Sequence, residues 1–128
     1  IDAKMHKEGR RGVLHAVDAF VFSMKGLRTA WADETAFRLQ CALLVPLVPL
    51  AFLIARSAVE LSLLLGACGL VLMAEMFNSA IERLVDRVGT DIHPLSGQAK
   101  DLGSAGVFIA MMLFLVVWLP IGWANLRP

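Results

Sequence analysis

The sequence predicts an all-α integral membrane protein, with an N-terminal amphipathic interfacial helix and three transmembrane helices. Three observations predict it. The 128 residues are 58% hydrophobic, with a mean hydropathy of +0.69, too apolar for an ordinary soluble domain of this size. Three stretches, 39–55, 61–74 and 102–126, hold no Asp, Glu, Lys or Arg. The basic residues are unevenly placed: ten fall at 4, 7, 10, 11, 25, 28, 38, 83, 87 and 100, and two at 56 and 127. The net charge of +1 gives no case for a nucleic-acid partner. Cys41 and Cys68 sit in separate apolar runs without CxxC spacing, as small core residues do.

One domain is expected, with a tail and interfacial helix over 1–31 and spans at 33–55, 59–88 and 94–124. The chain opens on Ile1 rather than Met, so a trimmed start is expected. The first twelve residues are charged and should fray, and no apolar run of roughly 7–15 residues follows to suggest a cleavable signal peptide. From Val13 to Trp31 the apolar residues fall at 13, 14, 17, 20, 21, 24, 27 and 31, a helical period with His15, Asp18, Lys25 and Arg28 on other faces. A basic, aromatic amphipathic helix of this kind suits the membrane interface.

Asp33-Glu34 can begin the next helix, favoured by its dipole. The seventeen uncharged residues from Leu39 to Ala55 are just enough for a span, with kinks expected at Pro46 and Pro49. The short link 56–60 forces the next helix to return antiparallel. Its uncharged run, 61–74, is too short to cross alone, so the span continues through Glu75 to about Ile81. Gly66 and Gly69 are expected to allow close helix approach there. Gly89 is a natural stop and Pro94 a natural first-turn residue for the third span. Ala99-x-x-x-Gly103 and Gly106-x-x-x-Ala110 have small-residue spacing that draws membrane helices together. Trp118 and Trp123 stand where interface anchors belong. Three spans put the N-terminus and the 82–101 region on one side, and its excess of Lys and Arg makes that side cytoplasmic.

The stretch Glu75-Met76-Phe77-Asn78-Ser79-Ala80-Ile81-Glu82-Arg83-Leu84-Val85-Asp86 carries the chemistry. At about 100° per residue, Glu82 falls about 20° to one side of Glu75 and Asp86 about 20° to the other, with Asn78 and Ser79 alongside. Glu82 and Asp86, among arginines, suit an ordinary wet helix end. Glu75 does not, because an ionisable group at membrane depth is costly and usually functional. Glu34 and Glu82, from different helices, could hold a hard divalent cation, and Lys100 could offset phosphate charge. Glu75, about 10 Å deeper than Glu82, could accept a proton from a hydroxyl presented within the lipid. Together these are the parts of a phosphoryl-transfer site. Spacing alone equally allows a proton- or ion-binding carboxylate in a small non-enzymatic membrane subunit. Neither GxxxxGK[ST] nor GxGxxG occurs.

Lys25-Gly26-Leu27-Arg28-x-Ala30-Trp31, Glu34-x-Ala36-Phe37-Arg38, Glu75-x-x-Asn78-Ser79-Ala80-Ile81-Glu82-x-x-x-Asp86-Arg87 and His93-x-Leu95-Ser96-Gly97-x-Ala99-Lys100-Asp101-x-Gly103-Ser104-Ala105 together resemble the small bacterial integral-membrane diacylglycerol kinases. The resemblance covers about residues 20–107. It implies a homotrimer with active sites shared between protomers, in the bacterial cytoplasmic membrane. It implies transfer of the ATP γ-phosphoryl group to diacylglycerol, giving phosphatidic acid. On its motifs, Glu75 is the general base and Asn78 a helper. Glu34 and Glu82 are Mg²⁺ ligands. Asp86, Asp91, His93, Lys100 and Asp101 complete the nucleotide site. Ser23, Arg28, Trp31, Arg38 and Ser104 border the lipid.

The chain departs from the family pattern at His15, at Phe22-Ser23-Met24, and at Gln40, where the pattern leads one to expect Arg, Tyr-Ser-Trp and Glu. No role is therefore assigned to His15, Met24 or Gln40. A cousin within the family phosphorylates undecaprenol. The Lys25–Trp31 and Leu95–Ser104 stretches look more like the diacylglycerol enzymes.

Overall fold

The computed structural model describes residues 11–128 in full and, of residues 2–10, the helical backbone alone. The expected fraying of residues 1–12 falls mostly outside the fully described part. Four helices follow one another: α1 (Asp2–Asp33), α2 (Thr35–Ile54), α3 (Ala58–Val88) and α4 (Pro94–Leu126). Among the described residues there is no strand. The chain divides into two compact units, Ile1–Glu34 and Thr35–Pro128.

The first unit is α1 with Glu34. Its apolar residues Val13, Leu14, Val17, Phe20, Val21, Met24, Leu27 and Trp31 are all exposed. Ser23 Oγ donates to the Ala19 carbonyl at 2.9 Å, and the Glu34 amide closes the last turn on Ala30.

The second unit is three helices, each long and apolar enough to cross a membrane. α2 runs unbroken through Pro46 and Pro49, and α4 through Pro120, although each proline deprives the carbonyl four residues earlier of its donor. Ser57 caps α3: its backbone is extended, and its Oγ accepts from the Glu60 amide at 3.1 Å. The Gly89 amide returns to the Val85 carbonyl at the end of α3. α4 opens with Pro94 in its first turn, behind His93 as cap.

At 1.5 Å per residue the 20 residues of α2 span about 30 Å, close to the hydrocarbon thickness, whereas the 31 of α3 and the 33 of α4 exceed it by about 15–20 Å. The 55–57 link and the end of α4 lie together, because Arg56 and Asn125 hydrogen-bond there. The surplus turns of α3 and α4 therefore stand at the opposite end, with Glu82, Asp86 and Lys100.

The apolar core lies toward the link end: Ala51, Ile54, Leu64, Ala67, Cys68 and Trp118, surrounded by residues that include Leu47, Leu65 and Phe114. Trp118 corrects the sequence reading. It is no interface anchor but a core residue, 8% exposed, stacked on Phe114 at 5.3 Å. Its indole N–H donates to the Leu64 carbonyl at 3.1 Å, the partner that an indole needs away from water. Trp123 stays exposed, with the Arg127 guanidinium 4.2 Å from its ring centre. The glycines sort into two groups. A Cβ at Gly66, Gly69 or Gly106 would meet nothing within 4 Å, so none of the three serves a close approach within this chain. Gly103 does: a Cβ there would collide with Asn78 Oδ1.

Candidate active site

The site lies in the second unit, at the end where α3 and α4 outrun α2. Glu75 sits mid-way along α3 and is 9% exposed, and its neighbour Ser79 is buried too. The facing residue is Gln40, in the second turn of α2, whose Nε2 donates to Glu75 Oε2 at 3.2 Å. One turn beyond Glu75, Asn78 Nδ2 donates to Glu82 Oε1 at 3.3 Å. Two turns further again, the Lys100 ammonium of α4 pairs with Asp86 Oδ1 at 2.7 Å. The carboxylate stripe read from the sequence is therefore divided by depth. Glu75 is enclosed between α2 and α3, while Glu82 and Asp86 are exposed.

Two acceptors at this end, Gln40 Oε1 and Asn78 Oδ1, are buried with no hydrogen-bond partner. Such atoms are expensive and are rarely left so without a reason. For Asn78 the approach of Gly103 keeps the amide close against α4. Below Gln40 a groove of about 450 Å³ runs between the three helices. Its walls are apolar and include Leu43, Leu47, Val71, Leu72, Phe108 and Met111.

The other candidate residues are placed as follows. Arg38 is half-buried, and its guanidinium donates to Thr35 Oγ1 at 3.2 Å. Asp91, Asp101 and Ser104 are exposed. His93 already has a structural task, since its Nδ1 accepts from the Leu95 amide at 3.1 Å. Ser23, Arg28, Trp31 and Glu34 belong to the first unit, where Glu34 is half-buried and the other three are exposed.

Among the described residues no three His, Cys, Asp or Glu side chains gather as a metal site. The donors present still suit Mg²⁺, which takes oxygen ligands and is commonly held by one or two carboxylates completed by substrate phosphates. Glu82 offers such a carboxylate, and the orphaned Asn78 Oδ1 lies on the residue that bonds it.

Sequence reasoning missed Gln40 and the groove. The available signal was an amide lying in an otherwise apolar run, but spacing could not pair it with a carboxylate 35 residues away.

Comparison with known proteins matches residues 21–121 to the prokaryotic diacylglycerol kinase family. A diacylglycerol kinase of Haemophilus influenzae is 44% identical over 107 residues, covering 84% of this chain and 91% of the relative. One from Pseudomonas aeruginosa is 42% identical, covering 87% and 90%. One from Escherichia coli K12 is 40% identical, covering 89% and 93%. Three apolar helices and this family fit a multi-pass membrane protein. The chain therefore belongs to the prokaryotic diacylglycerol kinase family, and it is an ATP-dependent lipid kinase.

Proposed function

We propose that this chain transfers the γ-phosphoryl group of ATP to the hydroxyl of diacylglycerol, with Glu75 as general base, releasing ADP and phosphatidic acid. The observation that carries the reading is the buried Glu75 carboxylate, bonded to Gln40 at the polar end of an apolar groove. A lipid whose chain lies in that groove presents its hydroxyl at the depth of Glu75. The hydroxyl proton passes to Glu75 as the alcohol oxygen bonds to the γ-phosphorus and the bond to the bridging oxygen of ADP breaks. Positioning and charge neutralisation supply most of the catalysis in such transfers. Lys100 supplies positive charge to the phosphates, and Asp86, which now pairs with it, fixes where that charge stands. Asp91, His93 and Asp101 border the nucleotide, and Arg38 and Ser104 the lipid. Glu82 is the residue of this unit that would hold Mg²⁺, and the bound ion supplies neutralisation of phosphate charge.

The same reading places the protein in the bacterial cytoplasmic membrane with its site facing the cytoplasm. Within the second unit Arg38, Arg83, Arg87 and Lys100 stand at the site end, against Arg56 and Arg127 at the other. It also includes a homotrimer, for which the open faces at Gly66 and Gly69 leave room.

The test is phosphate transfer from labelled Mg-ATP to dioleoylglycerol and undecaprenol in parallel, with Glu75→Gln as control. Labelling of the glycerolipid that disappears in the control is the expected result. Labelling of the polyprenol alone would reassign the substrate. Labelling of neither would overturn both lipids as the substrate.

A further inference from the structure

Resting on that reading, we infer that Gln40 is the positioning residue of the base: its amide holds Glu75 so that one carboxylate oxygen faces the lipid hydroxyl. Gln40 makes one side-chain hydrogen bond, from Nε2 to Glu75 Oε2, and its other polar atom is buried without a partner. Packing does not explain this residue. At the rim of an apolar groove, Leu or Met would fill the same space and leave no orphaned acceptor. The amide is kept at a cost in stability, and its bond to Glu75 is what it provides.

The choice of an amide is chemically apt. An amide N–H gives a carboxylate oxygen a hydrogen-bond donor. An ammonium or guanidinium in the same place would do so too. It would also hold the carboxylate in a salt bridge and weaken it as a base. The neutral amide occupies one lone pair of Oε2 and leaves Oε1 to receive the substrate proton. It also gives the buried glutamate a directional restraint that apolar packing alone does not supply. The 35-residue separation matters, because α2 supplies the restraint and α3 the base. The geometry of proton transfer then depends on how these two helices pack.

The experiment replaces Gln40 with Met, which keeps length and removes the donor, and with Leu as a second apolar variant. Each is measured beside the wild type and Glu75→Gln, with kcat and KM for Mg-ATP and dioleoylglycerol and the thermal unfolding midpoint. Expected for both apolar variants is a kcat lower by roughly 10- to 100-fold, the worth of one charge-assisted hydrogen bond at a reacting group. Both KM values should stay within about twofold and the midpoint should hold or rise, because the orphaned acceptor is gone. A merely structural Gln40 would instead lower the midpoint. Unchanged kcat in either folded variant beside an inactive Glu75→Gln overturns the role of Gln40 alone. A raised KM for the lipid at unchanged kcat does the same and makes Gln40 a groove wall. Full turnover in Glu75→Gln overturns the base reading and this inference with it.

Discussion

The two ends of the α2–α4 unit place polar residues on the same three helices and treat them in opposite ways. At the link end the groups close on one another. Glu60 Oε2 accepts from the Arg56 amide at 2.7 Å and from Asn125 Nδ2 at 2.8 Å. Asn125 Nδ2 also reaches the Ile54 carbonyl at 2.8 Å, and its own carbonyl accepts from the Arg56 guanidinium at 2.9 Å. Asn125 thus satisfies a carbonyl that the end of α2 leaves without an intrahelical donor. At the site end Gln40 bonds Glu75, Asn78 bonds Glu82 and Lys100 pairs with Asp86. Two buried acceptors are left over there. The link end completes its polar set from within the chain, and the other end leaves these two buried acceptors open.

This contrast predicts that substitutions at one end move activity, and at the other stability. The largest effect is expected from Glu75→Gln, which should lower turnover by about 10²- to 10⁴-fold, the usual contribution of a general base, with the unfolding midpoint little changed. Rate measurements on folded protein that fell only a few-fold would erase the functional meaning of the open end. Gly103→Ala should affect both properties. Its Cβ displaces Asn78, so overpacking of about 1–3 kcal/mol is expected in denaturation, together with a loss in kcat/KM. Normal kinetics in a destabilised Gly103→Ala would separate Asn78 from catalysis.

Asn125→Ala should do the converse. It leaves the Ile54 carbonyl unpaired at a cost of about 1–3 kcal/mol in stability, while kcat stays at the wild-type value. A clear fall in kcat without loss of stability would blur the division between the ends. The smallest change is expected from Gly66→Ala. Nothing in the chain crowds that Cβ, and the helix gains up to about 1 kcal/mol from alanine. Chemical cross-linking that showed a broken oligomer in this variant would reveal a second copy packed on that face.

Much of the fold was legible because it rests on local rules. Charge-free runs of the right length mark the spans, and Gly89 and Pro94 punctuate them. Glu75 stood out for the same kind of reason, being a carboxylate where burial is costly. The reading that failed concerns a partner. Trp118 was read as an interface anchor from its residue type and position, and the outcome turned on which side of α4 meets a neighbour.

The sequence by itself determined the membrane class, the family motif and the lone carboxylate at depth, because hydropathy, charge and residue identity are properties of the chain. The tertiary structure alone decided four matters: that Gln40 meets Glu75, that Lys100 meets Asp86, that Trp118 turns inward onto the Leu64 carbonyl, and that Gly103 is the glycine α3 presses against. Periodicity fixes the direction of a side chain about its own helix axis. Only the packing of one helix on another sets the register and the distance that turn a direction into a contact.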